Sequence, residues 1–513
     1  MIARAMRLVR GSPAGTPTVL KTTSYRYFSC YKTTNMPLTV DRLNSRVVDA
    51  KYAVRGKLAL RAEELRDQLA AKPGSLPFDE VINANIGNPQ QLDQKPITFY
   101  RQVLALLQYP DMLQDTEAVS RLFHRDAVQR ATTLLKEIGS VGAYSHSKGV
   151  PYIRKSIAKF IEERDGYSAD PEHIYLTTGA SGAVSNLIST LGQHQHSGFL
   201  IPIPQYPLYS ATLTLCDATA VNYYLDESRS WETNTTQLKE LIGESKNQGI
   251  DLRAIVVINP GNPTGAVLTE QNIRDIIHIA AEDHLVIIAD EVYQANVYIG
   301  EFLSFKKVLR KMQEEHPGVY DHVELASLHS TSKGMIGECG QRGGYMELVG
   351  FSDEVQEHIY KLCSISLCPV VTGQALMELM VNPPKPGDES YEQFNAEVSH
   401  IFNSLKERAQ RLYNAFKGMK GVSCEAPQGA MYLFPTITLP QKAIDEAAKQ
   451  GYESADAFYC MELLNATGIC VIPGSGFGQE PGTFHLRTTF LAPGADYADR
   501  FIKFHEEFMA KYE

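Results

Sequence analysis

The residues able to do chemistry in this sequence fall in short polar clusters, most of them directly after apolar runs. SLHSTSKG closes one run with Ser330, Ser332 and Lys333. A lysine there is a surface charge or, where its surroundings lower its pKa, an amine that forms a Schiff base with a carbonyl. VIIADEVYQ carries Asp290, Glu291 and Tyr293. Asp290 ends an apolar run, where an unpaired carboxylate is costly unless a cation meets it. A protonated ring nitrogen would serve; a salt bridge or a helix N-cap is the plainer reading. VVINPGNPTG sets Asn259 and Asn262 in a turn rich in Pro and Gly, which by itself reads as a rigid turn. IYLTTGASGAV places Gly179, Ala180, Ser181 and Gly182 between strand-like and helix-like sequence. Unpaired amides at a helix N-terminus favour an anion such as phosphate. Arg342, in GECGQRGGY, follows Lys333 by nine residues and has the geometry to clamp an anion.

The elements that must position these groups are legible as patterns. Apolar runs at 173–178, 198–203, 253–259, 285–290 and 323–329 have strand length and hardly alternate, as strands buried on both faces do. Polar helical stretches separate most of them. This predicts an α/β fold, a mainly parallel sheet covered by helices, with ligands beyond the carboxyl ends of the strands. Ahead of the sheet, VVDAKYAVRGKLALRAEELRDQLA has helical spacing interrupted at Gly56, and INANIGNPQ reads as loop. Helical pattern returns between residues 100 and 165, broken by YSHSKGVP. Near 390–418, YEQFNAEVSHIFNSLKERAQRLYNAFKGM predicts one long amphipathic helix. It leads to a C-terminal α+β region with GAMYLFPTI and GTFHLRTTFL as strands. The expected divisions are a leader over 1–40, a helical arm with part of a small domain over 41–105, a large domain over 106–388, and a linker helix with the small domain over 389–513.

Composition bounds the function. The 513 residues are 43% hydrophobic and 21% charged, which is ordinary globular usage. No apolar run reaches the roughly 18 residues a transmembrane helix needs. A formal charge of −10 argues against a nucleic-acid partner. Eight cysteines without a CxxC pair suggest neither a disulfide scaffold nor a metal site; they read as reduced thiols acting as small hydrophobes. Residues 1 to 40 differ from the rest. They carry Arg4, Arg7, Arg10, Lys21, Arg26 and Lys32 with no acidic residue before Asp41, the composition of a mitochondrial transit peptide. A start at Met36 would give a shorter, cytoplasmic product.

In order along the chain, the phosphate turn, Tyr206, Asn262, Asp290 with Tyr293, Ser330 with Lys333, and Arg342 resemble the fold-type-I pyridoxal-phosphate aminotransferases of class I. YSHSKGVPYIR, with Tyr144 and Gly149, and FHLRTTF, with Arg487, extend the resemblance from about residue 80 to the C-terminus. The wording YAVRG, NANIGNPQ, IPIPQYPLYS, SLHSTSKG, GECGQRGGYMEL and CPVVTGQALM is similar to the alanine-specific branch of that family. The Lys333–Arg342 spacing is one residue longer than the family's usual one, where Gln341, uncharged, stands instead. The resemblance implies a mainly parallel seven-stranded sheet in a large domain beside a smaller α+β domain, and a homodimer. It implies pyridoxal 5′-phosphate held by Lys333, with Asp290 on the ring nitrogen and Tyr293 and Asn262 on the phenolic oxygen. Tyr206 would lie on the ring face. Arg342, Ser330, Ala180, Ser181 and the partner's Tyr144 would hold the phosphate. Arg487, with Asn262 and Gly87, would take the substrate carboxylate. The expected reaction moves the amino group of L-alanine to 2-oxoglutarate, with no metal. The same fold hosts lyases of the aminocyclopropane-carboxylate-synthase kind, aminotransferases of other specificity, and in principle a non-catalytic amino-acid sensor.

Overall fold

The computed structural model describes residues 38–52, 56–492 and 496–513. The expected leader and residues 53–55 of YAVRG lie outside them. Residues 46–513 form one compact unit, and the described residues before it carry the 3₁₀ turn Val40–Arg42.

The large sheet has eight strands: β1 (Ile174–Thr178), β2 (Ser197–Ile203), β3 (Thr219–Asp226), β4 (Glu232–Thr233), β5 (Asp251–Ile258), β6 (Val286–Asp290), β7 (Leu325–Ser330) and β8 (Gly343–Val349). Their order is β1-β8-β7-β6-β5-β2-β3-β4. β3, β2, β5, β6 and β7 pair in parallel; β8 is antiparallel to both its neighbours, and β4 is antiparallel to β3. Seven strands were expected; the additional one, β4, is a two-residue edge segment.

The unalternating runs have a direct cause. Leu200, Ile255, Val257, Ile287, Ala289 and Leu325 enter one core beneath the helices Thr235–Asn247, Glu270–Asp283 and Phe305–Glu315. Phe199, Ile201, Ala254, Val256, Ile288, Ala326 and Leu328 enter a second core against Gly179–Leu191, Leu208–Leu215 and Asp353–Ile365. Successive side chains point to opposite faces, and here both faces are apolar because both are covered.

A third core joins the two ends of the unit. It gathers Val103 and Leu107 of helix Thr98–Gln108, Leu405 and Leu412 of the 28-residue helix Tyr391–Gly418, and Phe501 and Phe504 near the C-terminus. Gly56 does divide the first helical stretch, into Ser45–Asp49 and Lys57–Ala71. The segment expected as one strand, GAMYLFPTI, is two short ones, Tyr432–Leu433 and Thr436–Ile437, separated by Pro435, which has no N–H to donate. Tyr432–Leu433 pairs with Leu486–Thr489, which pairs in turn with Ile472–Pro473. Among the described residues no helix is long and apolar enough to cross a membrane, and no metal-binding cluster occurs.

Candidate active site

The carboxyl ends of β1, β2, β5, β6 and β7, with the start of the reversed β8, meet at one cavity of about 620 Å³. Its lining includes Gly87, Ala180, Ser181, Tyr206, Asn262, Asp290, Tyr293, Ser330, Lys333, Arg342 and Arg487. One sequence-predicted residue is elsewhere. Tyr144 is 79% exposed on its own chain and does not line the cavity.

Lys333 stands three residues beyond the end of β7. The turn that carries it is tied down from both sides. Ser330 Oγ donates to the Gly343 carbonyl at 3.0 Å and accepts from the Ser332 amide at 3.1 Å. The Gly334 amide donates to Asn296 Oδ1 at 2.8 Å. The Lys333 amine donates to the Gly87 carbonyl at 3.1 Å.

Asp290 ends β6 and is 6% exposed. Tyr209 donates to Oδ2 at 2.7 Å, while Oδ1 has only a 3.4 Å contact with the Val292 amide. Burial pushes the Asp290 pKa up, and the Tyr209 hydroxyl, the Val292 amide and the Lys333 charge oppose it. No described cation is ion-paired to Asp290. A cation entering the cavity would meet a buried carboxylate that lacks one.

Asn259 and Asn262 have separate tasks. Asn259 Oδ1 accepts from the Leu268 amide at 3.0 Å and holds the turn. Asn262 faces the cavity. Its Oδ1 accepts from Arg487 Nη1 at 3.0 Å, and its Nδ2 donates to the Tyr293 hydroxyl at 3.5 Å. Arg487, on strand Leu486–Thr489, is 1% exposed. Its guanidinium lies 4.2 Å from the Tyr432 ring centroid and 4.6 Å from that of Phe477. It also donates to the Asn85 carbonyl, leaving Nε without a partner. No described carboxylate is paired with it, so a buried cation opens on the cavity, ready for a carboxylate ligand.

The opposite end gathers groups that favour an anion. Helix Gly179–Leu191 has no side-chain N-cap, so its first amides are available to an anion. Arg342 reaches across to the same place. Its Nη2 donates to Ser181 Oγ at 3.1 Å and to the Thr178 carbonyl at 3.2 Å, and its Nη1 to the Cys339 carbonyl at 3.1 Å. The approach requires glycine. A Cβ on Gly179, whose φ is +70°, would fall 2.4 Å from Arg342 Nη2. The longer Lys333–Arg342 spacing is taken up by the 3₁₀ turn Cys339–Gln341, after which Arg342 adopts a left-handed conformation, φ 57°. The charges thus fit a small aromatic cofactor with a phosphate at one end, a carbonyl near Lys333 and a ring nitrogen near Asp290.

Sequence reasoning assigned no role to several lining residues. Tyr209, in the first turn of helix Leu208–Leu215, stands behind the lining and reaches it through Asp290. Tyr52 meets Tyr206 hydroxyl to hydroxyl at 2.5 Å. Arg101 forms a two-point pair with the buried Glu338, at 2.8 and 3.0 Å, and braces the segment leading to Arg342. Cys339, expected as a small hydrophobe, lines the cavity, and Tyr432 joins Tyr293 to Arg487.

Residues 80–499 match the family described as Aminotransferase class I and II. The chain belongs to that family. The mitochondrial alanine aminotransferase of Saccharomyces cerevisiae is 56% identical over 481 residues, 93% of this chain and 81% of that one. An inactive alanine aminotransferase of the same yeast is 54% identical over 481 residues, 93% and 95% of the two chains. Among solved structures, an alanine aminotransferase from Pyrococcus furiosus superposes with a TM-score of 0.71 at 25% identity, over 91% of this chain and all of the other. Lys333, Asp290, Arg342 and Arg487 all line the one cavity.

Proposed function

We propose that this aminotransferase moves the amino group of L-alanine to 2-oxoglutarate, giving pyruvate and L-glutamate, with pyridoxal 5′-phosphate as cofactor. One observation carries the reading: a lysine amine, a buried carboxylate without a cation and a buried arginine without a carboxylate face one cavity. The named relatives favour transamination of alanine over the lyase reading. The cofactor supplies an electron-poor ring that takes up the electron pair released at the substrate Cα.

The chain's own residues do the rest. Arg487 grips the substrate α-carboxylate through a planar two-point contact, with Asn262 and Gly87 beside it. The Lys333 amine would hold the cofactor through its carbonyl and, at the substrate Cα, would take the α-proton and return it. Asp290 would keep the ring nitrogen protonated, Tyr293 and Asn262 would hydrogen-bond the phenolic oxygen, and Tyr206 would pack on the ring. Arg342, Ser330 and the Ala180 and Ser181 amides hold the phosphate.

The remaining elements of the reading belong to the assembly and its address. We propose a homodimer in which Tyr144 reaches the partner's phosphate site. The Tyr144 loop lies beside an exposed apolar patch of Ile365, Leu367 and Val370: Ser147 Oγ donates to the Leu367 carbonyl at 2.6 Å. The divisions near 106 and 389 mark a large cofactor domain and a smaller C-terminal one. The basic leader sends the protein to the mitochondrial matrix, in line with the mitochondrial yeast relative; a start at Met36 leaves a cytoplasmic form. Borohydride reduction of the cofactor-loaded protein followed by peptide mapping tests the lysine. The label is expected on Lys333, and a label elsewhere rejects the assignment.

A further inference from the structure

Tyr432 touches both halves of the site. Its strand pairs with Leu486–Thr489 so that Tyr432 lies opposite Thr489. Arg487, two residues from Thr489, therefore projects from the same face as Tyr432. That register brings the ring against Arg487 at 4.2 Å, with Phe477 at 4.6 Å from the same guanidinium. The hydroxyl points the other way along the cavity. It meets the Tyr293 hydroxyl at 3.2 Å, and Tyr293 is in turn bonded by Asn262. It also lies against Gly87, where an added Cβ would stand 2.1 Å from the Tyr432 oxygen and 3.1 Å from Lys333 Nζ. The titratable groups that face it are Lys333, Arg487, Tyr293 and Cys339. Burial pushes the Tyr432 hydroxyl up, but the Lys333 and Arg487 cations outweigh it and bring it below the usual phenol range.

We infer that Tyr432 is a positioning residue that couples the two ends of the substrate, its ring fixing Arg487 for the carboxylate and its hydroxyl fixing Tyr293 for the cofactor's phenolic oxygen. The inference rests on the proposed cofactor reading. The ring shields and orients a buried guanidinium that has no acidic partner. The hydroxyl accepts from Tyr293 and so sets the direction of the Tyr293 proton beside the phenolic oxygen. Without it the Tyr293 proton turns to the phenolic oxygen, which then carries less charge and holds a neighbouring proton less tightly.

The two parts separate experimentally. Tyr432→Phe keeps the ring and removes the hydroxyl; Tyr432→Leu removes both. The visible absorbance of each protein loaded with pyridoxal phosphate is titrated against pH, and the dissociation constant of propionate, the alanine skeleton without its amine, is measured alongside. In Tyr432→Phe the titration midpoint is expected to fall by about half a unit to one unit, with propionate binding within about twofold of wild type. In Tyr432→Leu propionate binding is expected to weaken about tenfold or more. Variants that both titrate and bind propionate like wild type overturn this inference alone. A wild-type protein that develops no visible absorbance with the cofactor overturns the cofactor reading, and this inference with it.

Discussion

Asp290 and Glu291 are consecutive carboxylates with opposite tasks, and their surroundings explain why. Asp290 opens on the cavity, where burial pushes its pKa up and the Tyr209 hydroxyl opposes that push. Asp290→Asn is expected to bind cofactor yet lose on the order of 10²–10³ in rate, the equivalent of a charge-assisted hydrogen bond of a few kcal/mol. Steady-state assays with a cofactor-binding control check this, and near-native turnover would reduce the carboxylate to a structural role. Glu291 faces away from the cavity and accepts from the Phe305 amide at 2.8 Å. Burial, opposed by Arg164, pushes its pKa from 4.5 up to about 8. Between those values the folded chain holds a proton that the unfolded chain lacks, so this group's contribution to stability falls as pH rises from 4.5 toward about 8. Glu291→Gln keeps the acceptor and removes the titration. Calorimetry is expected to show the variant losing less stability than wild type between pH 5 and pH 9; parallel curves would contradict it. At this scale Asn262, Asp290, Lys333, Arg342 and Arg487 were legible because strand-end polar residues and family wording coincide. Tyr209 and Tyr432 were not, since their places depend on packing against Asp290 and Arg487, residues far away in sequence.

Five strands were legible within two residues because two-sided burial leaves an unbroken apolar run. β3 escaped because its outer positions are exposed or half-buried, and β8 because it opens on two glycines. Those glycines matter to the site. A Cβ on Gly344 would fall within 3 Å of the Gly179 and Ala180 backbone, so β8 packs directly on the turn that starts helix Gly179–Leu191. Arg342 then reaches over Gly179 to Ser181. Gly179→Ala strains a left-handed backbone and displaces the guanidinium together. The expected result is cofactor affinity weakened about tenfold or more, which corresponds to roughly 1.4 kcal/mol, read by equilibrium dialysis of pyridoxal phosphate. An unchanged dissociation constant would mean that Arg342 is not a phosphate ligand.

At the scale of the molecule, the assembly and the leader lie beyond one chain's contacts. Mixing Lys333→Ala chains with Tyr144→Phe chains is expected to raise activity above either parent, because one hybrid site is wild type. Confirmed exchange with activity at the parental average would place Tyr144 within its own chain. Cleavage between Phe28 and Ser29 would remove five basic and no acidic residues, taking the charge from −10 to −15. N-terminal sequencing of matrix protein is expected to read Ser29 first, and an intact Met1 there rejects the cleavage. The inactive yeast relative makes turnover, rather than likeness, the decisive observation. The direct measurement is pyruvate formation from L-alanine and 2-oxoglutarate by the cofactor-loaded protein, with Lys333→Ala and an aspartate substrate as controls. Steady turnover from wild type, lost in Lys333→Ala and much lower with aspartate, is the predicted result. No pyruvate from the loaded wild type, or equal rates from the lysine variant, would contradict the account.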